Sequence, residues 1–278
     1  MNERENSQVR NHIHELDDKT SLYILDEGDL HSDYSRLLIQ GLGCAAETIW
    51  RPLLTQLNLL GESRRHIAFD VRGIGKSSGW PVSIEQMADD AAFILSCLKI
   101  SSVEVVGHSL GGAISIIMAK KYPNLVRSLV LMDSVPKYSE KTRSGFRWRV
   151  KQIRSAGSVS AILDTVMPRS FGNKTQVEHP ELISKFRAML TAQNSDVYSH
   201  ICDLAATIDV WPSFNSLSLP ALVVVGNEDP NTTPKIMKDI ANKLDALFVE
   251  IPNAGHNPPL EQPILVASAL LGQRSNGK

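Results

Sequence analysis

The chain has 278 residues, of which 42% are hydrophobic and 21% charged, with 29 Lys and Arg against 30 Asp and Glu for a net charge of −1. That length suits one large domain or one domain with an insertion, and the balanced charge gives no global attraction to nucleic acid or to an anionic membrane. No apolar run approaches the roughly 18 residues of a membrane span, the opening MNERENSQVR lacks the apolar centre of a secretory signal, and three scattered cysteines (Cys44, Cys97, Cys202) predict reduced thiols in a cytoplasmic protein.

In chain order, apolar runs of strand length fall at Leu22–Leu25, Arg36–Gln40, His66–Asp70, Val103–Gly107, Ser128–Asp133, Ala221–Gly226 and Leu247–Ile251. Segments of helical period lie between and after them, around Thr48–Leu60, Ser83–Leu98, Leu110–Lys121, Pro234–Leu244 and Glu261–Leu271. Ser83 followed by Gln86 has the spacing of a capping box at a helix start. Strands that alternate with helices predict an α/β architecture, a mostly parallel central sheet flanked by helices.

The alternation stops between about Val135 and Ser218. Here the periods are helical, with Phe146, Val150 and Ile153 in one apolar stripe and Ile183, Phe186 and Leu190 in another. The expected organisation is a sheet core in residues 1–134, a helical cap in 135–218 inserted between two strands, and the rest of the core in 219–278. A cap in that position covers the carboxyl ends of the strands, where open α/β sheets bind ligands.

VEVVGHSLGGAISIIMA carries the strongest chemical signal. Gly107-His108-Ser109-Leu110-Gly111 is a G-x-S-x-G directly after a strand and before a helix, and a serine on that sharp turn exposes its hydroxyl at the sheet edge. A nucleophilic serine needs a base, and the base needs an orienting carboxylate. Of eight histidines, His256 stands apart, in the Gly/Pro/Asn-rich loop IPNAGHNPPLEQP just after the last strand. If the order is Ser…Asp…His, the acid comes from GNEDPNTTP, where Asp229 is the candidate and Glu228 a solvated turn residue. Asp133, closing LVLMDS, is the rival.

An attacked carbonyl also needs two N–H donors for its oxyanion. The residue after the nucleophile, Leu110, supplies one, and the QGLGC loop after an earlier strand supplies the other, with Gly41 and Gly43 bending the backbone so that the Leu42 amide faces the serine. Gln40 either braces that loop or meets the substrate. RGIGKSSG imitates a phosphate-binding loop, but Asp70 stands where G-x-x-x-x-G-K-[ST] requires glycine. The cationic run KTRSGFRWRVKQIR is expected to be a solvated helix face, and Trp148 and Trp211 are expected in the cap core.

QGLG, FDVRGIGKSS, GHSLGG, GNEDPNTTP and AGHNPPLEQP follow in the order of the α/β-hydrolase family, which the chain resembles over nearly its whole length. More narrowly, HPELISKFRAML followed by NEDPNTTP is similar to 3-oxoadipate enol-lactonases and related lactone or ester hydrolases; many members carry His-Gly where this chain has Gln40-Gly41. The resemblance implies Ser109, Asp229 and His256 as a triad acting on a small-molecule ester or lactone, with no cofactor and no metal. The same fold and triad also serve C–C bond hydrolysis, lyase or perhydrolase chemistry, and a slow-turnover ligand sensor is a further alternative.

Overall fold

The apolar, β-branched runs pair into one sheet. The computed structural model describes residues 9–16, 19–32 and 34–272; the expectation about a secretory signal rests on residues 1–10, and 1–8 lie outside the described residues. Among the described residues eight strands are formed: β1 (Arg10–Glu15), β2 (Ser21–Glu27), β3 (Ser35–Ile39), β4 (His66–Phe69), β5 (Val103–His108), β6 (Val126–Met132), β7 (Ala221–Gly226) and β8 (Leu247–Ile251). Their order is β1-β2-β4-β3-β5-β6-β7-β8. The β1–β2 and β2–β4 pairs are antiparallel, and every pair from β4 to β8 is parallel.

Strands β3, β4 and β5 are buried along their whole lengths, which is why they read as unbroken apolar runs. Strand β1 escapes that signal. It is an edge strand with residues alternately exposed and half-buried, and Ile13, its one large apolar side chain, points outward at 61% exposure.

Helix α1 (Ala46–Leu59) links β3 to β4 and buries Ile49, Trp50, Leu53, Leu54 and Leu57. Helix α2 (Ile84–Cys97) starts at Ser83, whose hydroxyl accepts from the Gln86 amide at 3.1 Å. The reciprocal arm is displaced by one residue, because Gln86 Oε1 accepts from the Val82 amide at 2.8 Å. Helix α3 (Leu110–Lys121) is buried from Leu110 through Ala119. A helix apolar all round belongs inside a core.

Chain order and sheet order together place the site. From β3 the chain crosses to β4 on one side, then passes back over β3 to β5 on the other. This reversal opens a crevice at the carboxyl ends of β3 and β5, the position where such sheets receive ligands. Ile39 pairs with Gly107 and Gly107 with Leu131, so the loops after β3, β5 and β6 leave the sheet level with one another.

Between β6 and β7 run α4 (Glu140–Ala156), α5 (Ser160–Val166), a 3-10 turn (Met167–Arg169), α6 (Asn173–Glu178), α7 (Pro180–Thr191), α8 (Ser195–Thr207) and α9 (Trp211–Phe214). Phe146, Val150 and Ile153 are buried on α4, and Phe186 and Leu190 on α7, with Ile183 half-buried. The chain then returns through β7, α10 (Pro234–Leu244) and β8. The final helical run is broken at Gln262 into α11 (Pro258–Glu261) and α12 (Pro263–Gly272), since Pro263 cannot donate into a continuing helix. No helix among the described residues is long and apolar enough to cross a membrane.

Candidate active site

Ser109 sits between β5 and α3 with φ 53° and ψ −118°, a conformation that L residues rarely adopt. The packing around the turn holds it there. Its amide donates to Met132 O at 2.9 Å, and its carbonyl accepts from the Ser134 hydroxyl at 2.6 Å. The flanking glycines answer to close approach: a Cβ on Gly111 would lie 2.0 Å from Ile39 O, and one on Gly107 2.4 Å from Ser115 Oγ.

His256 arrives from the loop after β8. Its Nε2 lies 2.9 Å from Ser109 Oγ, and its Nδ1 lies 2.7 Å from Asp229 Oδ2. A carboxylate only accepts, so Nδ1 carries the proton and the Nε2 lone pair faces the serine. Asp229, delivered by the turn after β7, is buried. Its Oδ1 accepts from the Asn231 amide at 2.7 Å, and its Oδ2 also accepts from the Thr232 hydroxyl. Burial opposes the charge on Asp229, but His256, Thr232 and the Asn231 amide outweigh it and hold the carboxyl below the usual carboxylate range.

Two buried groups fix the histidine loop. His108 Nε2 lies 2.6 Å from the His256 carbonyl and is therefore the protonated nitrogen. Burial, with help from His256, pushes His108 down to about 3, so its ring is neutral. Glu261 was not among the expected site residues. Its Oε1 accepts from the amides of Gly255 and Asn257, at 2.9 and 3.1 Å, on either side of His256, and its Oε2 accepts from Gly172 N at 2.7 Å. The available signal is an acid directly after the apolar PPL that follows His256-Asn257.

The QGLGC loop lies against Ser109. A Cβ on Gly41 would lie 3.1 Å from Ser109 Cβ, while Gly43 has φ +70° and a Cβ there would enter the Tyr198 ring at 2.2 Å. Leu42 lines the cavity beside Ser109, and Leu110 is the first residue of α3. Among the described residues neither the Leu42 nor the Leu110 amide donates to a protein acceptor. Gln40 is buried beneath this loop and does not line the cavity. Its amide donates to Phe69 O at 2.7 Å, and its Oε1 accepts from Trp50 Nε1 at 3.4 Å, tying the end of β3 to β4 and α1.

The other sequence signals fall as follows. Asp133 is also buried at a strand end, with φ 46°, and accepts from Gly226 N at 3.0 Å; it does not reach His256 by a hydrogen bond. Glu228 is half-buried and accepts from Asn173 N at 2.7 Å. The Asp70 carboxylate accepts from Ala46 N and Lys76 N at 2.7 and 2.8 Å, filling the space that a phosphate-binding loop would leave open. Trp148 is exposed rather than in the core, because it stands on the outer face of α4. Trp211 is half-buried against Phe214.

A cavity of about 90 Å³ opens over Ser109 and His256. Most of its remaining wall comes from the chain between β6 and β7, including Phe146, Phe186, Leu190 and Tyr198. Tyr138 faces Ser109, and burial pushes its hydroxyl up to about 12, against the opposing pull of Ser109 and Arg149. The cationic run on α4 divides. Arg147 pairs with Glu140 and Arg154 with Asp203 on the outside, whereas half-buried Arg149 turns into the cavity. No Asp or Glu lines that cavity, and among the described residues no carboxylate lies within ion-pair distance of Arg149.

Residues 37–263 match the family described as alpha/beta hydrolase fold. The chain is 27% identical over 199 residues to 3-oxoadipate enol-lactonase 2 of Acinetobacter baylyi, covering 71% of this chain and 73% of that one. Among solved structures it is similar to a thermophilic esterase from Thermogutta terrifontis in its malate-bound form, with TM-score 0.83, 28% identity and coverage of 97% and 98%. An enol-lactonase from Burkholderia xenovorans shares the fold with TM-score 0.83, 23% identity and coverage of 92% and 97%.

Proposed function

We propose, for a chain that belongs to the α/β-hydrolase family, that it is a cofactor-free serine hydrolase of a small carboxylic ester or lactone. The observation that carries this is the hydrogen-bonded chain from Ser109 Oγ through His256 to Asp229, at 2.9 and 2.7 Å. Ser109 attacks the carbonyl while His256 Nε2 takes its proton. Asp229 keeps the imidazole in the required tautomer and offsets the positive charge that forms on it. The oxyanion is received by the amides of Leu42 and Leu110, whose N–H groups have no protein acceptor to give up. His256 then passes the proton to the leaving alcohol, and water releases the acyl group by the same route. In a lactone the alcohol stays tethered, so a single hydroxy acid results.

Residues 135–218 serve in this reading as a cap over a core made of 1–134 and 219–278, and they give the cavity its apolar walls. The small volume favours a small substrate. Arg149, the half-buried cation in a wall without acids, suits a substrate with an anionic group away from the scissile bond. A screen of esters, lactones and a β-diketone, with Ser109→Ala as control, tests this proposal. Ester or lactone turnover by the wild type alone supports it; cleavage confined to the β-diketone, or equal turnover by Ser109→Ala, overturns it.

A further inference from the structure

The triad has a fourth member in space. Asp133 is fully buried at the end of β6, and its backbone and side chain are both stapled to β7. Its amide donates to Val224 O at 3.0 Å, and its Oδ1 accepts from Gly226 N at 3.0 Å. One ligand atom each from Asp133, Asp229 and His256 lie within 4.8 Å of one another. Asp133 Oδ2, on the side of Asp229, is buried and has no donor among the described residues. A bare carboxylate oxygen cannot stay there beside a second carboxylate. Asp229 is already committed to its charge by His256, Thr232 and Asn231. The proton that relieves the pair therefore belongs on Asp133.

We propose that Asp133 is a positioning residue, held as a neutral carboxylic acid whose O–H donates to Asp229 and so sets how strongly Asp229 holds His256. This rests on the triad reading above. The charged and titratable groups facing the pair are His256 and His108, and Glu261 of α11. Burial, and then the Asp229 charge, hold the Asp133 carboxyl well above the usual carboxylate range. Its backbone is left-handed, at φ 46°, and the hydrogen bonds to Val224 and Gly226 hold it there.

Two substitutions distinguish a neutral acid from a second carboxylate. Asp133→Asn keeps a neutral donor toward Asp229, whereas Asp133→Leu removes it with the same side-chain branching. With a neutral acid, Asn leaves kcat/KM within about threefold and its acidic limb in place; Leu frees Asp229 to hold the imidazolium more tightly and moves that limb up by about 1–2 pH units, the worth of one hydrogen bond to a charged group. With an ionised Asp133, both variants remove a negative charge near His256 and both move the limb down. A downward shift in Asn, or no shift in Leu that folds, overturns the proposal. So does a loss of activity on chelation that a divalent cation restores.

A second readout does not depend on catalysis. An unfolded aspartate ionises above about pH 4, so a folded state that keeps the proton loses stability as pH rises from there towards the folded carboxyl's own range. The folding equilibrium of Asp133→Asn should then gain on wild type as pH rises above about 4, by up to about tenfold per pH unit while folded Asp133 keeps its proton. A pH-independent difference overturns the protonation assignment. Activity surviving in Ser109→Ala would instead overturn the triad reading, and the two failures stay separate.

Discussion

Replacing Gln40 by leucine removes two hydrogen bonds from beneath the QGLGC loop while nearly conserving volume. Phe69 O loses a donor at 2.7 Å, and the fully buried Trp50 indole N–H loses its acceptor at 3.4 Å. A buried polar group left without a partner costs about 1–3 kcal/mol, and the longer bond belongs at the low end, so the sum is about 3 kcal/mol. At about 2–4 °C per kcal/mol for a chain of this size, Tm should fall by roughly 6–12 °C in calorimetry. Catalysis should suffer through position. Gln40 precedes Gly41, whose Cα packs against Ser109, but its own side chain stays out of the cavity. In steady-state kinetics kcat should therefore drop about two- to tenfold with KM almost unchanged. Gln40→His restores a donor and an acceptor and should be near normal on the same substrates. A raised KM at constant kcat, or a changed substrate preference in Gln40→His, would refute the bracing role.

Asp229→Asn should lose about 10⁴-fold in kcat, since an amide no longer holds the required tautomer of His256, while Asp133→Asn loses little; the reverse ranking would put the acid after β6. Arg149→Met should raise KM at least tenfold for esters with a remote carboxylate and leave neutral esters within about threefold, and an equal loss on both would remove Arg149 from recognition. The depressed Asp229 carboxyl contributes stability that is complete above the unfolded value near pH 4 and is lost as pH falls below it. Urea midpoints should therefore show the margin of wild type over Asp229→Asn shrinking between pH 5 and 3; a margin that widens would contradict the ionised, paired carboxylate.

What the sequence revealed, and what it concealed, follow from the physics of each element. Buried parallel strands must be apolar throughout, so β3 to β7 stand out as runs, and the turn after β5 stands out because a Cβ on Gly107 or Gly111 would meet Ser115 Oγ or Ile39 O at under 2.5 Å. Edge strand β1 has no buried face to advertise it. Glu261 was overlooked because its partners are backbone amides, which carry no residue identity. Arg149 sits in a run of cations of which Arg147 and Arg154 meet carboxylates and Arg143 backbone carbonyls, and only the rotation of α4 over the cavity singles it out. Asp133 and Asp229 look alike as acids at strand ends; that Asp229 is the one facing His256 Nδ1 lies in the loop geometry after β7, which the sequence does not print.

The nucleophile is tested most directly by intact-mass and peptide analysis of the protein after incubation with a serine-reactive fluorophosphonate. A single adduct on Ser109, formed at a rate that falls with saturating substrate and absent from Ser109→Ala, which should also lack turnover, is the expected result. An adduct elsewhere, or Ser109→Ala retaining more than a few per cent of wild-type activity, would contradict the assignment of Ser109.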